Sequence, residues 1–252
     1  MRPRFLPFAI GLLPLAGCTS EPLPKPAAAT GFTPTPATAV GFTPTPTPAA
    51  MNSQAWAVDV IKKAHGKATP DSADADNPVL TADLHNVQIN NDILDALSVL
   101  HRLREINLYN TAFSDADLSR LVVLSDLQTL NLCSTPITDA GLASLKKLPA
   151  LRTLYLHDTT VTDAGARAIA ELSHLQALDV NGTGVTDEGL GILRNLHELH
   201  ELSAGGPRIT DQGLKYLAEL HNLHYLELSR TAVTDAGVRE LQRALPQLKI
   251  IR

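Results

Sequence analysis

Three residues that could serve acyl-transfer chemistry recur at one spacing: Cys133, His157 and Asn181 lie 24 residues apart. A thiol, an imidazole and an amide are the parts of a cysteine nucleophile set, in which the base activates the thiol and the third group orients the base. Such chemistry also needs an oxyanion hole and a closed pocket. A repeated strand imposes the same spacing with no chemistry attached, so no catalytic residue is assigned and the chain is read as a non-enzyme. A second pattern is His197-x-x-His200 followed one period later by His221-x-x-His224. Two imidazole pairs on stacked coils can ligate Zn²⁺, Cu²⁺ or Ni²⁺. These four are candidates only, in a chain with 9 histidines, and no metal or other cofactor is assigned. The third pattern is an acidic ladder: Asp115, Asp139, Asp163, Asp187, Asp211 and Asp235. Helix N-termini partly offset its self-repulsion, and Ca²⁺ binding is the functional alternative.

The elements that position these residues come from one unit, QTLNLCSTPITDAGLASLKKLPAL at Gln128–Leu151, repeated without gaps from Leu80. Units begin at Leu80, Arg104, Gln128, Arg152, Gln176, His200 and His224; the last is read as 25 residues, with one added around Ala244–Leu245. The third and fifth positions are apolar and alternate with polar residues, which predicts a short strand with one buried face. The eighth position is Thr in five of seven units, where a hydroxyl can satisfy turn backbone groups of the next coil. Thr-Asp-x-Gly follows, as at Thr138–Gly141. There Thr can cap a helix, Asp suits the helix dipole, and Gly permits close stacking. Leucines at positions 15, 18, 21 and 24 complete the core from the helix side. No unit has enough core to fold alone, so the array folds as a stack.

The period and the LxxLxL core resemble the leucine-rich repeat (LRR). Residues 80–252 look like the LxLxxTxITDxGLxxL repeats of bacterial LRR lipoproteins. They are also similar to the cysteine-containing repeats of F-box proteins, although no F-box is recognisable in residues 51–79. The resemblance implies a right-handed α/β horseshoe of seven repeats. A parallel sheet would line its concave face and helices its convex face. It implies a binding module without catalytic residues. Before the repeats, Ser53–His65 reads as an amphipathic helix with Ser53 as N-cap and Trp56, Val60, Ile61 and Ala64 on one face. This is the cap an open solenoid needs, within residues 51–79. Residues 68–78 read as polar and turn-rich.

The N-terminus carries its own signal. Arg2 and Arg4 precede an apolar run, Phe5–Leu15, too short to span a bilayer as a mature helix. Leu15-Ala16-Gly17-Cys18 resembles the lipobox of bacterial lipoproteins. That resemblance implies cleavage after residue 17 and lipid on Cys18, where more than one acyl chain gives stable anchoring. Thr19 in place of the Asp retention signal favours an outer membrane. Residues 18–50 are rich in Pro, Thr and Ala and contain a duplicated GFTPTP. They are read as an extended linker that reaches roughly 100 Å at about 3.1 Å per residue.

Positions 2, 4, 6 and 7 of each unit are expected on the concave face. Six acids (Asp83, Glu105, Asp158, Asp179, Glu201 and Glu227) stand there against one Arg, Arg230. The contact centre is expected at Tyr109, Cys133, Tyr155, His157, Asp158, Asp179 and Asn181, since Tyr is a common interface anchor. The sixth unit departs from the pattern, with Ala204-Gly205-Gly206-Pro207 leaving that face bare. A formal charge of −5 excludes nucleic acid as a default partner. The expected function is a membrane-anchored, extracytoplasmic module of the cell envelope that binds a polar or basic protein or peptide. The alternatives are a structural envelope protein or a His-cluster metal-binding lipoprotein.

Overall fold

The structure, a computed structural model, describes residues 53–71 and 77–252. The leader, Cys18, the linker and part of the cap region lie outside the described residues. The rest is one solenoid. Helix α1 (Gln54–Lys63) and strand β1 (Lys67–Pro70) form the cap. Strands β2 (Val79–Asp83), β3 (Glu105–Asn107), β4 (Thr129–Asn131), β5 (Thr153–Tyr155), β6 (Ala177–Asp179), β7 (Glu201–Ser203), β8 (Tyr225–Glu227) and β9 (Lys249–Ile251) follow at intervals. Between them lie α2 (Asn91–Val99), α3 (Asp115–Leu118), α4 (Asp139–Leu142), α5 (Asp163–Ile169), α6 (Asp187–Leu193), α7 (Asp211–Leu217) and α8 (Asp235–Ala244). All nine strands make one sheet in chain order, parallel from β2 onward. This is the leucine-rich-repeat solenoid expected from the period.

Register follows the repeat: Ile106 pairs with Leu130, Leu130 with Leu154 and Leu154 with Leu178. Adjacent strands are about 4.8 Å apart, so residues one period apart become neighbours. The strand leucines, the tenth-position residues such as Ile137 and Val161, and the helix-side leucines such as Leu142, Leu145, Leu148 and Leu151 form one continuous core. Two expectations need correction. Residues 67–70 form a strand, β1, antiparallel to β2; an edge strand ending in Pro70 needs few ladder donors, so its polar sequence reads as a turn. The last unit, read as 25 residues, spans 24 by strand register, because Tyr225 pairs with Lys249 just as Glu201 pairs with Tyr225; the shifted leucines fall where α8 runs to 10 residues.

The cap closes the stack as expected. Ser53 accepts the Trp56 N–H at 3.2 Å, and Ala57 and Ile61 are fully buried, with Trp56, Val60 and Ala64 packed at the rim. Gln54 bridges to the chain where it enters β2, donating to the Asn77 carbonyl and accepting the Val79 N–H, both at 3.0 Å.

The Thr-Asp-x-Gly turn does more than cap. Thr138, Thr162, Thr186, Thr210 and Thr234 are N-caps of α4 to α8. The aspartates reach sideways: Asp163 Oδ1 accepts the Thr186 N–H at 2.8 Å and Oδ2 accepts its hydroxyl at 2.7 Å. Asp115, Asp139, Asp187 and Asp211 do the same to the next coil's threonine. The ladder is therefore a seam between coils. Its carboxylates are engaged by threonines rather than left open for Ca²⁺. Asp235, beyond the last such threonine, receives Arg252 at 2.7 Å.

The eighth-position threonines are also corrected. Thr135 donates to the Leu132 carbonyl at 2.6 Å and Thr159 to that of Leu156 at 2.7 Å, three residues back in the same coil.

The seam carries a pH signature at Asp211. The Thr234 hydroxyl and then its N–H stabilise the carboxylate and hold Asp211 below the usual carboxylate range. A depressed folded value means the contribution is present above about pH 3.9, the unfolded value. It is lost as pH falls through the lower folded value. Urea unfolding should therefore show Asp211→Asn less stable than wild type at pH 7. The gap should narrow below pH ~4; a gap constant with pH contradicts the seam.

Candidate functional site

The sheet has one face against the helices and one free of them, the face expected as concave. Pleat alternation puts positions 2, 4 and 6 on the free face. Position 4 runs Asp83, Asn107, Asn131, Tyr155, Asp179, Ser203 and Glu227; position 6 runs His85, Tyr109, Cys133, His157, Asn181, Gly205 and Ser229. From β2 to β8 no Lys or Arg stands at positions 2, 4 or 6.

Position 4 has a local job that the sequence reading missed. Its side-chain oxygen accepts the N–H two residues on: Asn107 from Tyr109 at 3.1 Å, Asn131 from Cys133 at 2.9 Å and Asp179 from Asn181 at 2.8 Å. This Asx turn bends the chain off the strand. Position 7 then takes a left-handed backbone, with φ of 58° at Asn86, 53° at Asn110 and 53° at Asp158. The Asn-rich column is the cue that was available for it. Asp158 and Arg230 are thus turn residues at the margin of the face, where Arg230 also has positive φ.

Exposure differs from expectation at three positions. Cys133 is 3% exposed, Asp179 8% and Asn181 7%. Tyr109, Tyr155 and His157 are half-buried, and Asp158 is exposed. Cys133 lies between the taller Tyr109 and His157, whereas Asp179 and Asn181 have a taller neighbour on one side only, Tyr155 and His157, with Ser203 and Gly205 on the other. Tyr155 is held above its ordinary value by burial, then by Glu201, Asp179 and Glu105. Asp179 is pushed up to about 6, first by burial; Glu227 and Asp158 add to it, while the Asn181 N–H and His157 oppose it. His157 turns its Nε2 to Asp158 Oδ2 at 3.2 Å.

The Cys133–His157–Asn181 row stands on three neighbouring strand ends, but its surroundings suit structure. The N–H groups beside it are committed to the next coil: Ser134 donates to the His157 carbonyl at 2.8 Å and Asp158 to that of Asn181 at 3.0 Å. Those donors are not free to hold an oxyanion. Of the four histidines, His200 and His224 stack with centroids 5.8 Å apart and planes at 10°. Among the described residues no group of three or more His, Cys, Asp or Glu is placed to hold a metal ion. The quartet is brought together as a stacked pair, not as a ligand set. A shallow cleft of about 560 Å³ lies on the opposite, helix side, where Gly191 leaves a gap beside Tyr216, Arg167 and Arg194.

The comparisons agree with this architecture. Residues 125–185 match the family described as leucine rich repeat, and residues 219–241 match a second leucine-rich-repeat family. Internalin C2 from Listeria monocytogenes is similar at 26% identity with a TM-score of 0.59, over 78% of this chain and 81% of that one. An LRR protein of Leptospira interrogans is 18% identical over 62% of this chain and 50% of its own, with a TM-score of 0.44. No curated protein matches the chain. Leucine-rich-repeat folds commonly serve as non-catalytic protein-interaction modules.

Proposed function

We propose that this chain binds a protein or peptide through the helix-free face of its sheet, centred on β4 to β7, while lipid on Cys18 anchors it to the cell envelope. The observation that carries the binding reading is the composition of that face. Half-buried Tyr109, Tyr155 and Tyr225 stand among Glu105, Asp179, Glu201 and Glu227, with no Lys or Arg at these positions from β2 to β8. Aromatic anchors amid uncompensated acids suit a polar, basic partner surface. The anchoring reading rests on the residues around Cys18 and on the linker that follows. An outer-membrane or periplasmic position is the location that fits both.

The test uses the full chain as bait against envelope proteins of its own cell. Tyr109→Ala/Tyr155→Ala/His157→Ala should lose a captured partner that wild type and the helix-side variant Arg167→Ala/Arg194→Ala retain. The reverse pattern moves binding to the helix side and overturns the reading. A structural envelope role predicts no specific partner with any bait. Metabolic labelling with a radioactive fatty acid should mark wild type and not Cys18→Ala; equal labelling removes the anchor.

A further inference from the structure

We infer that the depression around Asp179 is a socket for one cationic side chain of the bound protein, a lysine ammonium or an arginine guanidinium. The inference rests on the helix-free face being the binding surface and names what a partner must present there.

Asp179 carries more charge than its structural job requires. Its Oδ1 accepts the Asn181 N–H at 2.8 Å, and neutral Asn131 and Asn107 do the same work on nearby strands. A carboxylate is therefore unnecessary for the turn. Its Oδ2 takes no hydrogen bond from any described residue and is not among the fully buried atoms, although the residue as a whole is only 8% exposed. An oxygen with no protein donor that still reaches solvent is free to accept an incoming N–H.

A second unpaired acceptor lies beside it. Asn181 is 7% exposed, and its Oδ1 is buried with no hydrogen-bond partner. That oxygen sits 2.5 Å from where a Cβ on Gly205 would stand. The space exists because the sixth unit is bare: Gly205 has no side chain, and a Cβ on Gly206 would meet nothing within 4 Å. Small Ala177 and Ser203 line the floor beside Asp179, and Tyr155 stands on the adjoining strand.

Asp179 Oδ2 and Asn181 Oδ1 are acceptors that no protein group donates to, and a ligand with several N–H groups suits them. The charges facing Asp179 select its sign. They are His157, Glu227 and Asp158, with Glu201 and Tyr155 next to them. Only His157 among these can be positive, and it is turned to Asp158. Burial and the acids together hold the Asp179 carboxyl near 6, the condition that an arriving cation relieves. No group of three metal-ligating side chains assembles among the described residues, so an organic cation fits better than a metal ion.

The test is a carboxyl-¹³C titration of Asp179 in the full chain, in N-butylammonium chloride, N-ethylguanidinium chloride or NaCl at equal ionic strength. A lysine socket predicts that saturating butylammonium weakens proton binding at Asp179 about tenfold relative to NaCl; an arginine socket gives that response to ethylguanidinium. In Asp179→Asn, the amide shifts that the active cation induces at Gly205 and Gly206 should vanish while the remaining amide spectrum is unchanged. No response beyond that to NaCl, an equal response to CaCl₂, or saturable binding that survives Asp179→Asn overturns the socket. If the triple variant loses its partner but neither organic cation binds, the socket is wrong and the binding face stands. If an organic cation binds yet capture of the partner ignores the face, the socket holds and the protein-binding reading fails.

Discussion

Asp179→Asn should raise the stability of the protein at pH 7 by about 1–3 kcal/mol, the equivalent of moving a buried carboxyl from near 6 to its unfolded value. Most substitutions of a buried polar group destabilise, so the sign alone is informative. Folded Asp179 binds its proton more tightly than unfolded Asp179, because burial penalises the carboxylate. Protonation therefore favours the fold below about pH 4, the unfolded value. That advantage fades as pH rises to about 6. At pH 7 the ionised carboxylate is a net cost, and asparagine removes it. The substitution keeps the turn, since Asn131 accepts the Cys133 N–H in the same way at 2.9 Å. Urea unfolding at pH 7 and pH 4 checks this: the variant's advantage should be large at the first and close to zero at the second. A loss of stability at pH 7 shows that the carboxylate is paired in the folded state, and a gain that ignores pH shows that its ionisation is not the cause. A stability cost retained at one residue fits a site kept for binding.

The seam between coils should show the strongest coupling in the molecule. Gly189→Ala is expected to cost about 2–4 kcal/mol: an overpacking penalty with a broken contact, less about 1 kcal/mol of helix propensity. The added Cβ would fall 2.3 Å from Asp163 Oδ1 and 2.7 Å from Val185 Cγ1. Asp163 cannot swing aside without losing the Thr186 N–H and hydroxyl together. Asp163→Ala alone should cost about 2 kcal/mol, as hydrogen bonds to a charged group do. It also vacates the space the new methyl needs. In the double variant Gly189→Ala/Asp163→Ala the costs should fall short of their sum by at least about 1 kcal/mol, the signature of residues in contact. Additive costs in a denaturant double-mutant cycle would show that glycine and aspartate are not neighbours across the coil. The same reasoning extends along Gly141, Gly165, Gly213 and Gly237, where a Cβ would stand 2.2–2.4 Å from the aspartate one coil earlier.

Both predictions draw on features only partly legible in the sequence. The threonine, the aspartate and the glycine of the turn were each visible, and the N-cap was read correctly. Their reach across coils was not, because the partner of Asp163 is Thr186, 23 residues away, outside any local pattern. The hydroxyl of Thr135 was visible too, yet it serves its own coil. On the binding face, alternation told which residues point away from the helices but not how deep they lie. Asp179 and Asp83 occupy the same column, and the first is nearly closed off while the second is half-exposed.

The sequence alone determined the period, the core columns, the parallel order of strands and the acidic bias of one face. These follow from side-chain type at fixed spacing, because burial of an apolar column and repetition of a turn are local demands repeated in register. Only the tertiary structure decided that β1 joins the sheet, that the aspartates tie neighbouring coils together, that Asp179 is nearly closed off and that Asn181 is buried with an unpaired oxygen. Water access and hydrogen-bond partners depend on what the adjacent coil places alongside. Gly205 in the next coil leaves open the space into which Asn181 points its oxygen.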